Sequence, residues 1–184
     1  MNNARQAEPS HRHPALTRAF DALSNRDHLR QALESASDET VTFQELYRLA
    51  ATPTVRPNAK MARMLLQNPR LREDLKRLLQ KRAVCHFPSV AAASSLGELT
   101  KRKEKGFVIE IKSSRVESSQ VYILIHLEEH ILRHPESITL IHPELGVIKQ
   151  ALPEALGGVV QLLADSDSPL VQAIRRIETE IFLH

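Results

Sequence analysis

The spacing of apolar residues along the chain changes near Gly106. Before this glycine, apolar residues recur every three to four positions among many basic residues, which is the period of an amphipathic α-helix. After it, apolar and polar residues alternate in short runs, which is the period of a β-strand. The pattern therefore predicts a helical first half and a β-stranded second half.

The first 40 residues are predicted in two parts. Residues 1–13 show no apolar period, so we expect a disordered arm there. Leu16, Phe20 and Leu23 then follow at i, i+4 and i+7, which predicts one helix or two short ones over residues 15–35.

Three further helices have clear start signals. Thr42 and Glu45 have the spacing of a capping box, which predicts a helix from about Phe43 to Ala51 that ends before Pro53. A second helix is expected from Asn58. Asn68 then caps a third, whose buried stripe is Leu71, Leu75, Leu78 and Leu79.

The second half contains six candidate strands and one late helix. The predicted strands are Phe107 to Lys112, Val121 to Leu127, Ser137 to His142, Leu145 to Leu152, Gly158 to Leu163 and Glu180 to Leu183. Ser168-Pro169 is expected to cap a helix that runs to about Ile177.

These elements predict an α+β fold of two domains. An N-terminal all-α helical bundle is followed by a small antiparallel β-sandwich or barrel-like domain with one short helix. The predicted divisions are a disordered arm at 1–13, a basic helical domain at 14–87, a connector at 88–105 and an antiparallel β domain at 106–184.

Charge separates the same two halves. Residues 1–105 carry 19 Lys and Arg against 11 Asp and Glu, a net of +8, whereas residues 106–184 carry 6 against 11, a net of −5. A basic half attached to an acidic half suits either an anionic partner or attraction between the halves. Both interpretations stay open at this point.

Composition excludes several classes of protein. No run approaches the roughly 20 apolar residues that cross a bilayer, and a single cysteine cannot form an internal disulfide. The polar N-terminus lacks the apolar core of a secretion signal, so we expect a cytoplasmic protein without membrane contact.

Four histidines raise the question of a metal site. His126, His130 and His134 are spaced by four, but His126 ends a strand pattern, so the spacing does not align them on one helical face. We predict no metal here. A surface site assembled from a loop with His142 is the alternative that the sequence leaves open.

Catalytic and cofactor motifs are not found in the sequence. Cys85 and His86 suggest a nucleophile and its base, but neighbours in sequence usually point apart, so Cys85 is predicted to be a small buried apolar residue. None of the five glycines lies in a phosphate-binding motif. We therefore predict no enzyme and no cofactor.

A basic face over residues 60–82 is the candidate for an anionic partner. Its members are Arg63, Arg70, Arg72, Lys76, Arg77, Lys81 and Arg82. Arg70, Arg77 and Lys81 share one side of a helix, opposite the four leucines, where they could follow a row of phosphates. A solvated helix face has the same appearance.

The expected function is that of a non-enzymatic binding or adaptor protein that acts through protein–protein contacts, a mode of action that suits a regulatory protein. The alternative is a nucleic-acid-associated regulator that uses residues 43–82, where two helices resemble a helix-turn-helix with a long turn. The sequence does not indicate the oligomeric state.

Overall fold

The computed structural model describes residues 40–89, 99–128, 131 and 133–184. Val41–His184 form one compact unit. The predicted arm at 1–13 and the predicted helix at 15–35 lie outside the described residues. Within the described part, no helix is long and apolar enough to cross a membrane.

The described residues form four helices and eight strands. The helices are α1 (Phe43–Ala51), α2 (Ala59–Gln67), α3 (Pro69–Gln80) and α4 (Pro169–Arg175). The strands are β1 (Cys85–Phe87), β2 (Lys101–Glu104), β3 (Phe107–Ser113), β4 (Gln120–Leu127), β5 (Ser137–His142), β6 (Gly146–Ala151), β7 (Val159–Asp165) and β8 (Glu180–Leu183).

Side-chain caps start the first three helices, as the sequence predicts. At α1 the Thr42 N–H donates to Glu45 Oε2 at 2.7 Å, and the Glu45 N–H donates to Thr42 Oγ1 at 3.3 Å. Asn58 accepts from the backbone N–H of the third residue of α2, and Asn68 accepts from two N–H groups of α3. The predicted starts of all three helices are confirmed.

The strands form two antiparallel sheets of four. The inner sheet has the order β1-β8-β5-β6, and the outer sheet has the order β2-β3-β4-β7. All six predicted strands are present within a few residues of their predicted bounds. The sequence patterns did not reveal β1 or β2, and β2 lies in the segment predicted to be a connector.

The inner sheet is covered on both faces. Alternate residues of β8, Ile181 and Leu183, join a core that also holds Ile109 and Ile123 of the outer sheet. Phe182 points the other way, into a second core with leucines of the three N-terminal helices. The helices therefore pack on one face of the inner sheet and the outer sheet packs on the other.

The predicted fold class is wrong in its helical part. No helical bundle is present among the described residues, because the apolar stripes of α1, α2 and α3 pack onto the inner sheet together with Ile141, Val147 and Phe182. The structure is a mixed α+β fold made mostly of strands. All six residues of β5 are buried, as expected for a strand covered on both faces.

A buried arginine joins the two sheets. Arg102 of β2 is 8% exposed, and its guanidinium donates to the Thr179 carbonyl at 2.8 Å and to the Pro88 carbonyl at 3.2 Å. Thr179 and Pro88 flank strands of the inner sheet. Burial lowers the pKa of Arg102. The charged string that looked like a connector therefore contains a strand with one residue directed inward.

Candidate functional site

Two of the seven predicted basic residues are used within the chain. The Arg72 guanidinium donates to the carbonyls of Leu65 and Leu66, where it satisfies the end of α2. Lys76 lies 3.1 Å from Glu73 and 3.2 Å from Glu180 of β8. Burial lowers the pKa of Lys76, but these two ion pairs outweigh it and the net shift is upward.

The other five basic residues lie at the surface in different settings. Arg77 forms a 3.6 Å ion pair with Asp74, and the Arg82 guanidinium lies 5.9 Å from the centre of the Tyr47 ring. The remaining three, Arg63, Arg70 and Lys81, are exposed without an ion pair to any residue that the structure describes. The predicted set is therefore divided between internal contacts and open surface.

The two helices that resemble a helix-turn-helix are joined by seven residues, 52–58. Met61 and Leu65 of α2 are buried in the second core, which also holds Val147 of β6. Lys60 is half-buried and Arg63 is exposed. The buried side of α2 thus packs on the inner sheet.

Cys85 and His86 lie on opposite faces of β1. Cys85 is in the core between the sheets, whereas the His86 ring stacks on Phe182 at 4.5 Å between centroids. Burial, with a contribution from Glu104, raises the pKa of Cys85 to about 12. A thiol with this pKa stays protonated near neutral pH, which does not suit a nucleophile.

The candidate metal-binding histidines that the structure describes lie in different settings. His126 Nε2 lies 3.5 Å from Glu110 on the outer sheet, and His142 Nδ1 accepts from the Glu144 and Leu145 N–H groups at 3.1 Å each. His134 is exposed, and His130 lies outside the described residues. Over those residues, no group of three His, Cys, Asp or Glu side chains is placed to hold a metal ion.

A groove between α1 and α3 is the most distinctive open surface of the helical layer. We call it the helical groove; its volume is about 440 Å³. It is lined by Val41, Phe43, Leu46, Leu71, Asp74, Arg77, Leu78 and Lys81. Leu46 is buried and belongs to the second core, so the groove is an opening above the side chains that attach the helices to the sheet.

Two exposed aromatic residues lie one turn apart along α1, and the first of them, Phe43, lines the groove. Phe43 is 69% exposed and Tyr47 is 45% exposed, with ring centroids 6.5 Å apart. The i, i+4 spacing places both on one side of α1, next to the buried stripe that contains Leu46 and Ala50. In contrast, the other three described phenylalanines, Phe87, Phe107 and Phe182, are buried.

A buried lysine fixes the end of α1. The N–H that would normally bond the Leu49 carbonyl belongs to residue 53, and Pro53 has none. Lys149 of β6 supplies the donor: its Nζ bonds the Leu49 carbonyl and, at 2.9 Å, the Thr52 carbonyl. Burial, followed by the Arg82 charge, lowers the pKa of Lys149 to about 8. Through Lys149, the inner sheet thereby holds the end of α1, the helix that carries Phe43 and Tyr47.

Another ionisable group near these cations is neutral. His184 follows β8 and is 8% exposed, next to Phe182 with ring centroids 6.3 Å apart. Burial lowers its pKa to about 4, helped by the charges of Lys149 and Arg82. At neutral pH His184 therefore adds no charge next to Lys149 and Arg82.

The edge of the helical groove is positive. Arg77 is balanced by Asp74, whereas Lys81 within the groove and Arg82 beside Tyr47 are not paired with a carboxylate of the described residues. Three of the seven basic residues that the sequence analysis singled out, Arg77, Lys81 and Arg82, are thus found at this edge. That analysis missed the groove, since it requires α1 and α3 side by side; Phe43 and Tyr47 at i, i+4 were the available signal.

Comparisons with models of protein families, with curated protein sequences and with solved structures gave no match.

Proposed function

We propose that the protein is a non-enzymatic binding or adaptor protein that holds an apolar, acid-flanked segment of another protein in the helical groove. The observation that carries the proposal is the exposed aromatic pair of Phe43 and Tyr47 beside an apolar opening. Aromatic side chains and arginine are enriched at the centres of protein interfaces, and here Arg82 lies against Tyr47.

The chemistry of the groove suggests what the partner presents. Leu46, Leu71 and Leu78 offer apolar contacts at the base and walls, which suits one or two apolar side chains of a helix or extended segment. Lys81 and Arg82 add positive charge at one end. Asp or Glu residues flanking the apolar anchor of the partner would therefore be favoured.

The groove is held in a fixed shape before binding. Its α1 wall is tied at the start by the Thr42–Glu45 capping box and at the end by Lys149. A preformed site loses less conformational entropy when it binds. This supports a stable recognition surface.

A photo-crosslinking experiment in the native cell tests the proposal. A benzoylphenylalanine placed at Phe43 is expected to crosslink one defined protein partner. The same group at Val116, which is 94% exposed in the turn between β3 and β4, serves as the matched control. Identical crosslinked products at the two positions would contradict the proposal.

The purified partner then allows a measurement of affinity. Phe43→Ala is expected to weaken binding about tenfold or more, because truncating a hot-spot residue of an interface typically costs about 2 kcal/mol or more. Val116→Ala is expected to leave the affinity unchanged. Equal affinities for wild type and Phe43→Ala would rule out the helical groove as the binding site.

The nucleic-acid alternative rests on Arg63, Arg70 and Lys81, which are exposed. It has less support, since Arg72 and Lys76 are engaged within the chain. Binding of the protein to duplex DNA that falls steeply with salt, and that is lost on charge reversal of Arg70, Arg77 and Lys81, would favour this alternative.

We place this function in the cytoplasm. The chain has one cysteine, and Cys85 is buried, so the fold uses no internal disulfide. Cell fractionation of the native protein tests the location. Recovery in a membrane or secreted fraction would contradict it.

A further inference from the structure

Several buried polar side chains without hydrogen-bond partners lie on the face of the inner sheet that the helices cover. Ser137 and Thr139 of β5 are buried, and neither hydroxyl has a hydrogen-bond partner among the described residues. The Arg82 main chain approaches the buried ring of His184, but neither ring nitrogen has a hydrogen bond of normal geometry within the described part of the chain. Buried polar groups are nearly always hydrogen-bonded, so this cluster indicates a ligand.

The register of the inner sheet brings these side chains together. Thr139 lies opposite Phe182, which points into the second core, and opposite Lys149 on the other side. Ser137 exchanges two main-chain hydrogen bonds with His184, of 2.9 and 3.0 Å. Side chains at opposite positions of an antiparallel pair have Cβ atoms about 5 Å apart. We call Ser137, Thr139, Lys149 and His184 the polar patch.

Lys149 gives the polar patch a buried positive charge. It is 4% exposed and forms no ion pair with a carboxylate in the part of the chain that the structure describes. Its Nζ bonds two main-chain carbonyls at the end of α1, which leaves one of the three ammonium N–H groups. Burial is the main cause of the lowered pKa values of Lys149 and His184, and positive charges, Arg82 among them, add to it. The patch therefore lacks negative charge.

We propose that the polar patch binds one small monovalent anion, of the size of chloride, between the inner sheet and the helices. The hydroxyls of Ser137 and Thr139 donate to the anion, and the third N–H of Lys149 donates to it as well. Residues two apart along a strand are separated by roughly 6.8 Å, about twice the length of a hydrogen bond. One ion therefore fits between the two hydroxyls.

Burial and charge determine which ligand suits the patch. The hydroxyl oxygens of Ser137 and Thr139 are closed off from solvent, which favours a small ion over an organic anion. A buried charge is costly unless an opposite charge and hydrogen bonds accompany it. An anion next to Lys149 thus keeps the ammonium group protonated, and with it the attachment of α1. This binding does not depend on the partner of the helical groove.

A chloride titration of the full, unbound chain tests the site. Chloride replaces gluconate at constant ionic strength, and the amide resonances of residues 137–139 are expected to shift and saturate. Thr139→Val keeps the shape of the side chain but removes the hydroxyl, so it is expected to raise the chloride dissociation constant at least about tenfold. Ser137→Ala is expected to act in the same direction. Thr100→Val, at an exposed position before β2, is the control and is expected to bind as wild type does.

Bromide gives a second measurement, because it resembles chloride and its anomalous scattering locates it in a crystal. One bromide is expected in contact with Thr139 Oγ1 and Lys149 Nζ. Resonances that do not saturate with chloride overturn the proposal, as does a dissociation constant that Thr139→Val and Ser137→Ala leave unchanged. Bromide found only at exposed arginines also overturns it. Hydration of the patch by water alone would give the first of these results.

Discussion

The inner and outer sheets have the same number of strands and the same antiparallel pairing, but they differ in how many of their faces are buried. The inner sheet lies between the helices and the outer sheet, whereas the outer sheet meets solvent on one face. Ionisable residues on the covered face must each find a specific partner or remain neutral. Lys149 and His184 show these two outcomes.

The comparison extends to the lysines of the two sheets. Lys149 uses its charge to attach α1 to the inner sheet, while Lys112 on the outer sheet forms a 3.2 Å pair with Glu110 at the surface. The inner sheet thus anchors the helices that pack on it. The outer sheet keeps one face open to solvent.

The largest expected difference between the sheets is in packing. Phe182→Ala in the inner sheet is expected to lower the free energy of unfolding by about 3–5 kcal/mol, because it empties the centre of the helix-facing core. Leu124→Ala on the solvent face of the outer sheet is expected to cost about 1 kcal/mol. Urea denaturation measures both. Equal losses would contradict the proposed contrast.

A matched pair of lysines tests whether a buried polar contact of the inner sheet contributes more to stability than a surface ion pair of the outer sheet. Lys149→Met is expected to cost about 1–3 kcal/mol, since it leaves the Leu49 and Thr52 carbonyls without this donor. Lys112→Met is expected to cost under about 1 kcal/mol, as for other surface ion pairs. Urea denaturation at neutral pH compares them.

The lysine pair also differs in its response to pH. The pKa of Lys149 is lowered from 10.5 to about 8 in the folded protein, so between these values the unfolded chain binds more protons. The free energy of unfolding is therefore expected to rise with pH over this interval. A smaller rise in Lys149→Met than in Lys112→Met would support this assignment, and equal rises would contradict it.

Histidines of the inner sheet predict sensitivity to acid. The pKa of His184 is lowered from 6.5 to about 4, so below pH 6.5 the unfolded chain binds more protons than the folded one. Stability is expected to fall by on the order of 1–3 kcal/mol between pH 6.5 and 4. His184→Gln reduces this loss, and His126→Gln on the outer sheet is the control. The remaining slope comes partly from His86 and His142, whose pKa values burial also lowers.

The smallest expected effect separates two arginines of α3. Arg72→Ala is expected to cost about 1 kcal/mol because its guanidinium caps α2. Arg70→Ala is expected to change stability by less than about 0.5 kcal/mol, since Arg70 is exposed. Thermal unfolding followed by circular dichroism compares the variants. A larger loss of stability for Arg70→Ala than for Arg72→Ala would contradict the capping role of Arg72.

Local signals in the sequence predicted local structure well. The capping box gave helix α1 with its observed bounds, and the strands Ser137–His142 and Glu180–Leu183 were predicted at their observed residues. Each of these signals depends on residues within a few positions of one another. The late helix was also confirmed, although it ends at Arg175 and not near Ile177.

Long-range relations explain the errors. An amphipathic helix shows which side it buries but not what covers that side, so the stripes of α1–α3 were assigned to a bundle when they pack on a sheet. Strand β2 has a single inward residue, Arg102, among charged neighbours, and β1 is too short to show a period. The pairing of Lys76 with Glu180 and that of Lys149 with the Leu49 carbonyl each span about a hundred residues, beyond any spacing rule.

Strand β8 has a consequence for how the molecule is made. It lies between β1 and β5 and carries Phe182, yet it follows every other element in the sequence. During translation, the three helices leave the ribosome long before Phe182 can cover their apolar sides. A nascent chain that ends before residue 180 therefore exposes those leucines, and we expect it to depend on chaperones until β8 is synthesised.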